Sequence, residues 1–158
     1  MNKAAAAKYV SILWANPEHA EALAGLHAPL FDQPWDSATF SQLLSHPGAT
    51  SFLARAGDPA EVVGFILGRL VADEAEILSL GVKKEWQRLG IGRRLVEALA
   101  RAAKKAAVHR LYLEVSVNNG PALLLYKRLG FEECGRRKGY YEHMGAPAED
   151  AINLSRAL

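Results

Sequence analysis

The run Gln87-Arg88-Leu89-Gly90-Ile91-Gly92 has the residue types to hold an anion. Two glycines let the backbone approach a ligand closely, and the free N–H groups of a helix start, aided by the helix dipole, favour negative charge. Arg88 and Arg93 can add charge-assisted bonds, which suits a pyrophosphate. Rival phosphate loops fit poorly. A Walker loop ends in Gly-Lys-Ser/Thr, whereas Gly92 is followed by Arg93-Arg94, and a dinucleotide fingerprint needs a third small residue where Leu95 stands. The glycine spacing alone leaves equally open an ordinary turn beside a solvated basic helix face. Downstream, Glu114, Asn119 and Tyr126 carry proton-transfer and hydrogen-bonding groups. By residue type alone, Glu114 could sit on a solvated strand face, Tyr126 could be a core tyrosine, and Asn119 could cap a helix. Glu74 and Glu76 are competing carboxylates at a hairpin edge. The five histidines (His19, His27, His46, His109 and His143) have no i, i+4 spacing on one helix, so metal binding is not expected; His27 reads as a helix-end residue. Cys134 reads as a small buried residue.

These groups need elements to position them. Residues 18–28 have helical spacing, a loop covers 29–35, and Asp36 or Ser37 caps a second helix through residue 44, ended by Pro47-Gly48. Strands are predicted over 50–55, 61–71 and 75–82, with a turn at 72–74, in hairpin order. The period then changes. Residues 90–107 form the clearest amphipathic helix, with Ile91, Leu95 and Leu99 on one face. Residues 110–116 alternate as a strand, with Leu111, Leu113 and Val115 opposite Tyr112, Glu114 and Ser116. A helix over 120–129 ends at Gly130, and strands follow at 131–136 and 150–158. Helices and strands alternate only in the second half, so the fold class is mixed α/β with a partly antiparallel sheet.

The chain has 158 residues, half of them hydrophobic and 23% charged, which suits one domain over 1–158 with its own core. A single cysteine excludes an internal disulfide and a cysteine-based zinc site. The apolar start around Ala4–Ala7 is interrupted by Lys8, so neither a signal peptide nor a membrane span is expected, and a cytoplasmic location is the default. Net charge is +2, but nine basic residues between Lys83 and Arg110 face only Glu85 and Glu97, a local sum of +7. That block suggests an anionic partner such as nucleic acid, a membrane surface or a phosphorylated ligand.

Gln87-x-x-Gly90-x-Gly92, between a strand and a helix, resembles the acetyl-CoA signature of the GNAT superfamily of N-acetyltransferases. Further matches run in order over roughly residues 27–151: His27-Ala28 with Phe31, Pro34 and Trp35; Asp73-Glu74-Ala75; Leu113-Glu114-Val115; Asn119-x-x-Ala122; Leu125-Tyr126; Leu129-Gly130-Phe131; Arg136-Arg137 leading to Tyr140-Tyr141; and Glu149-Asp150-Ala151. Together they resemble the RimI-type ribosomal-protein alanine N-acetyltransferases. The resemblance implies a mostly antiparallel sheet of six to seven strands flanked by about four helices. It implies that backbone at Leu80, Gly81 and Val82 binds the pantetheine arm, and that Gln87, Arg88, Leu89, Gly90, Ile91, Gly92 and Arg93 hold the pyrophosphate, with Asn119 at the arm. It makes Glu114 the general base and Tyr126 the general acid, in direct attack of an amine on the thioester. Phe31, Trp35, Tyr140 and Tyr141 would line a peptide channel. No metal is implied. The acceptor would be a protein N-terminus, foremost the N-terminal alanine of a small-subunit ribosomal protein, and the enzyme a monomer or weak dimer. A small amine or lysine acceptor is the alternative within the family, and a non-catalytic nucleic-acid module using the basic helix the alternative outside it. Two departures stand out: Lys83-Lys84 replaces a common Asp-Pro, and Met144 replaces a common Asp before Gly145.

Overall fold

The long amphipathic stretch folds as foreseen in the computed structural model, which describes residues 3–6, 9–143 and 146–158. The elements are α1 (Lys3–Ala6), β1 (Ser11–Trp14), α2 (Ala20–His27), α3 (Ser37–Ser45), β2 (Phe52–Ala56), β3 (Glu61–Val71), β4 (Glu74–Val82), α4 (Ile91–Lys105), β5 (Arg110–Ser116), α5 (Gly120–Arg128), β6 (Glu132–His143) and β7 (Ala146–Ala157). Seven strands form one sheet in the order β1-β2-β3-β4-β5-β7-β6. The β4–β5 pair is parallel and the other neighbouring pairs are antiparallel. A parallel pair needs a crossover rather than a tight turn, and α4 supplies it.

Helices cover both faces. Ile91, Leu95, Val96, Leu99 and Ala103 of α4 recur every three to four residues and pack with Ile66, Ile77, Leu111 and Leu113. On the opposite face, Leu23 and Leu26 of α2 and Phe40 and Leu44 of α3 pack on Leu53, Phe65 and Leu67. Asp36 caps α3, its Oδ1 accepting the Thr39 N–H at 2.8 Å, which also lowers the Asp36 pKa. Among the described residues, no helix is long and apolar enough to cross a membrane.

The structure corrects several expectations. β1 was not foreseen: four mostly exposed residues on the sheet edge give no alternation to read. Residues 17–19 form a 3-10 turn before α2 rather than its first turn. β6 and β7 extend well beyond 131–136 and 150–158 into one long hairpin, because the polar, glycine-containing stretch between them pairs across the strands in spite of its composition. Cys134 is exposed rather than buried. It falls where the β6–β7 register slips, between Glu133 and Gly135, and a bulge breaks the inward–outward alternation that the expectation relied on.

Candidate active site

Strands β4 and β5 pair only from Glu74 with Arg110 to Ile77 with Leu113, then part. A bulge accompanies the parting. Leu67 pairs with Ser79 and Gly68 with Ile77, so Leu78 has no partner on β3. The extra residue bends β4 away, leaving the edge of residues 78–82 that faces β5 without a strand partner. Between the separated strands lies a cleft of about 1030 Å³. Its wall includes Leu80, Glu114, Asn119, Tyr126, Phe31, Trp35 and Tyr140, residues far apart in sequence that were each singled out as site candidates.

Strand alternation sends Leu111, Leu113 and Val115 into the core, which leaves Glu114 on the opposite face. Its Oε1 lies 3.1 Å from Nη2 of Arg137, and a quarter of its side chain stays exposed. The rival carboxylate Glu76 is committed to Arg69 at 3.1 Å. Tyr126 sits on α5, 5% exposed, edge-on to Phe131 at 5.3 Å. Burial pushes its phenol pKa up, so at neutral pH it is a protonated donor. Asn119 caps α5, its Oδ1 accepting the Ala122 N–H at 3.2 Å.

The glycine loop follows the end of β4. Buried Trp86 anchors the preceding 3-10 turn, and the Gln87 side chain donates from Nε2 to the Val82 carbonyl at 2.8 Å, tying the loop to the strand. Arg88 (φ 61°) and Gly90 (φ 84°) take left-handed backbone conformations. Gly90 caps α4 without a side-chain bond, and the first intrahelical bond runs from Arg94 N–H to Gly90 O. The N–H groups of Ile91, Gly92 and Arg93 therefore lack helical acceptors. A Cβ on Gly90 would meet nothing within 4 Å, and one on Gly92 would touch only Leu125 at 3.5 Å. The fold does not demand glycine at 92, whereas a ligand approaching the amides would. Gly81 differs: a Cβ there would lie 2.7 Å from the Phe65 ring. Its side is filled by core, leaving backbone as its contribution to a ligand. Three residues of the basic block have partners within the protein. Lys83 pairs with Glu61 at 3.1 Å, Arg94 donates to the Val10 carbonyl at 2.8 Å, and Arg110 donates to Ser155 at 3.0 Å.

Two features escaped the sequence. His27 is 2% exposed, stacked on Phe31 at 3.9 Å and on Trp35 at 5.2 Å, and its Nδ1 accepts the Trp35 N–H at 3.1 Å. Burial lowers its pKa to about 4, so it is a neutral acceptor holding the aromatic wall, not a base. The second is the β6–β7 hairpin. Arg137 pairs with Ala151 and Tyr141 with Glu149, so three residues, 138–140, oppose only Asp150. Gly139 (φ 64°) and its N–H bond to Asp150 Oδ1 at 3.0 Å form this bulge, and Tyr140 reaches the cleft. Ser116 and Glu149, hydrogen-bonded to each other, line the same wall. The Tyr141 side chain lies outside the described residues. Among the described residues, no group of three or more His, Cys, Asp or Glu is placed to hold a metal ion.

Comparison with known proteins gives the same picture. Residues 14–131 match the family described as Acetyltransferase (GNAT) family. The N-alpha-acetyltransferase RimI of Mycobacterium tuberculosis is 39% identical over 135 residues, 82% of each chain. The crystal structure of the ribosomal-protein-S18-alanine N-acetyltransferase from Escherichia coli superposes with a TM-score of 0.86 at 28% identity, covering 94% of this chain and 93% of that one. NAA60 of Arabidopsis thaliana, solved with acetyl-CoA, shares the fold with a TM-score of 0.82 at 23% identity, covering 94% and 98%.

Proposed function

Since the chain belongs to the GNAT acetyltransferase family, we propose that it moves an acetyl group from acetyl-CoA to the α-amine of a protein N-terminus, with the N-terminal alanine of ribosomal protein bS18 as the acceptor. The observation that carries the reading is the cleft between β4 and β5, which gathers Glu114, Asn119 and Tyr126 beside an unpaired strand edge.

Acetyl-CoA supplies the acetyl group as a thioester. The donor set fits it: uncapped N–H groups at the start of α4 and the exposed Arg88 and Arg93 suit the diphosphate, and the free edge of β4 at Leu80, Gly81 and Val82 suits the amide-bearing arm. Glu114 takes the proton that the amine loses as it attacks, directly or through one water. Tyr126, protonated at neutral pH, donates its phenolic proton to the departing sulfur. An α-amine has a pKa near ~8, against ~10.4 for a lysine side chain, so at neutral pH a far larger fraction is already a nucleophile and one carboxylate suffices as base. Phe31, Trp35 and Tyr140 stand where an incoming peptide would lie, with Tyr141 assigned beside them through the resemblance alone.

Residues 1–158 are taken as one catalytic domain, working as a monomer or weak dimer without nucleic acid. A ribosomal-protein acceptor in the Escherichia coli relative supports a cytoplasmic location. The test is a panel of peptides with different N-termini incubated with acetyl-CoA and read by mass spectrometry. Acetylation of the α-amine of an alanine-first bS18 peptide is expected. Acetylation confined to lysine side chains or polyamines would overturn the acceptor assignment.

A further inference from the structure

Arg137 touches two parts of the site at once. Its Nη2 lies 3.1 Å from Glu114 Oε1, and its guanidinium carbon lies 5.0 Å from the centre of the Tyr140 ring. The neighbouring cation Arg136 is committed elsewhere, to Glu133 at 3.4 Å and Asp150 at 3.8 Å. Two adjacent arginines on one strand therefore do different things: Arg136 braces the hairpin, and Arg137 contacts two residues of the cleft wall, Glu114 and Tyr140.

We propose that Arg137 is a positioning residue for acetyl transfer, holding the Glu114 carboxylate and tying its orientation to the Tyr140 ring. The inference rests on Glu114 acting as the base. A glutamate has three side-chain torsions, and among the described residues the ion pair with Arg137 is the charged contact at its tip. A planar guanidinium offers donors in a fixed geometry. One N–H contact to Oε1 leaves most of the roughly four lone-pair sites of an ionised carboxylate open to the acceptor amine or a bridging water. Backbone sets where Arg137 stands. It pairs with Ala151, which in turn pairs with Ser116 on β5, two residues along from Glu114 on the same face. The bulge at 138–140 then brings Tyr140 back over the guanidinium. Acceptor contacts at Tyr140 thereby bear on the base. The ion pair is too exposed to add much stability, with 57% of the Arg137 side chain open to solvent, so its contribution is geometric.

The test is a double-mutant cycle on the whole protein, with an alanine-first peptide and acetyl-CoA as substrates. R137M is expected to lower kcat about tenfold, with the KM for acetyl-CoA unchanged. R137K, which keeps the charge without the planar fork, should recover part of the loss. In an E114Q background R137M should cost nothing further, because its effect passes through Glu114. Thermal melts of R137M and R137Q check that the hairpin stays folded, and the one that melts with the wild type is carried into the cycle. Wild-type kcat in R137M, or losses that multiply in the double variant, would overturn the proposal. Wild-type kcat in E114Q alone would instead overturn the base assignment on which the proposal depends.

Discussion

Tyr126 is nearly sealed from solvent, and burial raises its pKa; Glu114 keeps contact with solvent and with a guanidinium. Each side chain can be tested by a near-isosteric change. E114Q is expected to lower kcat by about 10²-fold or more, with acetyl-CoA affinity by calorimetry unchanged, since the proposed cofactor contacts lie elsewhere. Y126F should lower kcat by about tenfold or more while its melting temperature stays near wild type, because the ring still packs edge-on to Phe131. The sequence singled out both residues, and the structure brings both to the cleft wall. Strand parity put Glu114 opposite Leu113 and Val115, and family spacing then chose its role. Arg137 and His27 were not legible as partners of other site residues. An ion pair to β5 and a stack between neighbouring elements are through-space facts, and residue type alone does not name the partner.

Two glycines of the site differ in what requires them, and that difference belongs to the elements. At Gly92 a methyl group makes only ordinary contact with Leu125, so G92A should keep its melting temperature within about 2 °C while weakening acetyl-CoA binding, and G92E should abolish binding by filling and charging the amide cradle. At Gly81 the same methyl group drives into Phe65, so G81A should destabilise by about 1–3 kcal/mol, read from denaturant unfolding. Normal affinity in G92E would remove the diphosphate assignment. The helix periods, the loop and the β4 strand were readable because apolar spacing and glycine placement are local signals. The bulge at Leu78 was not readable, since it is a mismatch between the registers of two strands rather than a property of either. The same holds for the long β6–β7 hairpin, whose polar residues pair because the partner strand is present.

The molecule as a whole carries a pH-dependent cost at His27. Its pKa is lowered from 6.5 to about 4 by burial, so the unfolded chain binds this proton first. The cost is absent above about pH 6.5 and grows as pH falls towards 4, reaching about 3 kcal/mol. Denaturant midpoints should therefore fall more steeply between those pH values in the wild type than in H27Q, which keeps an acceptor for the Trp35 N–H without the titration. Equal slopes would show that His27 titrates alike in both states. From the order of its elements, the glycine signature and the alternation around Glu114, the sequence by itself determined a mixed α/β acetyltransferase architecture, because periodicity and motif spacing are written along the chain. Tertiary structure alone decided that β4 and β5 part to open a cleft, that Cys134 faces outward, and that Arg137 and the His27 stack close on the site. Each of these depends on which strand lies beside which and in what register, and that is settled only when distant segments pack together.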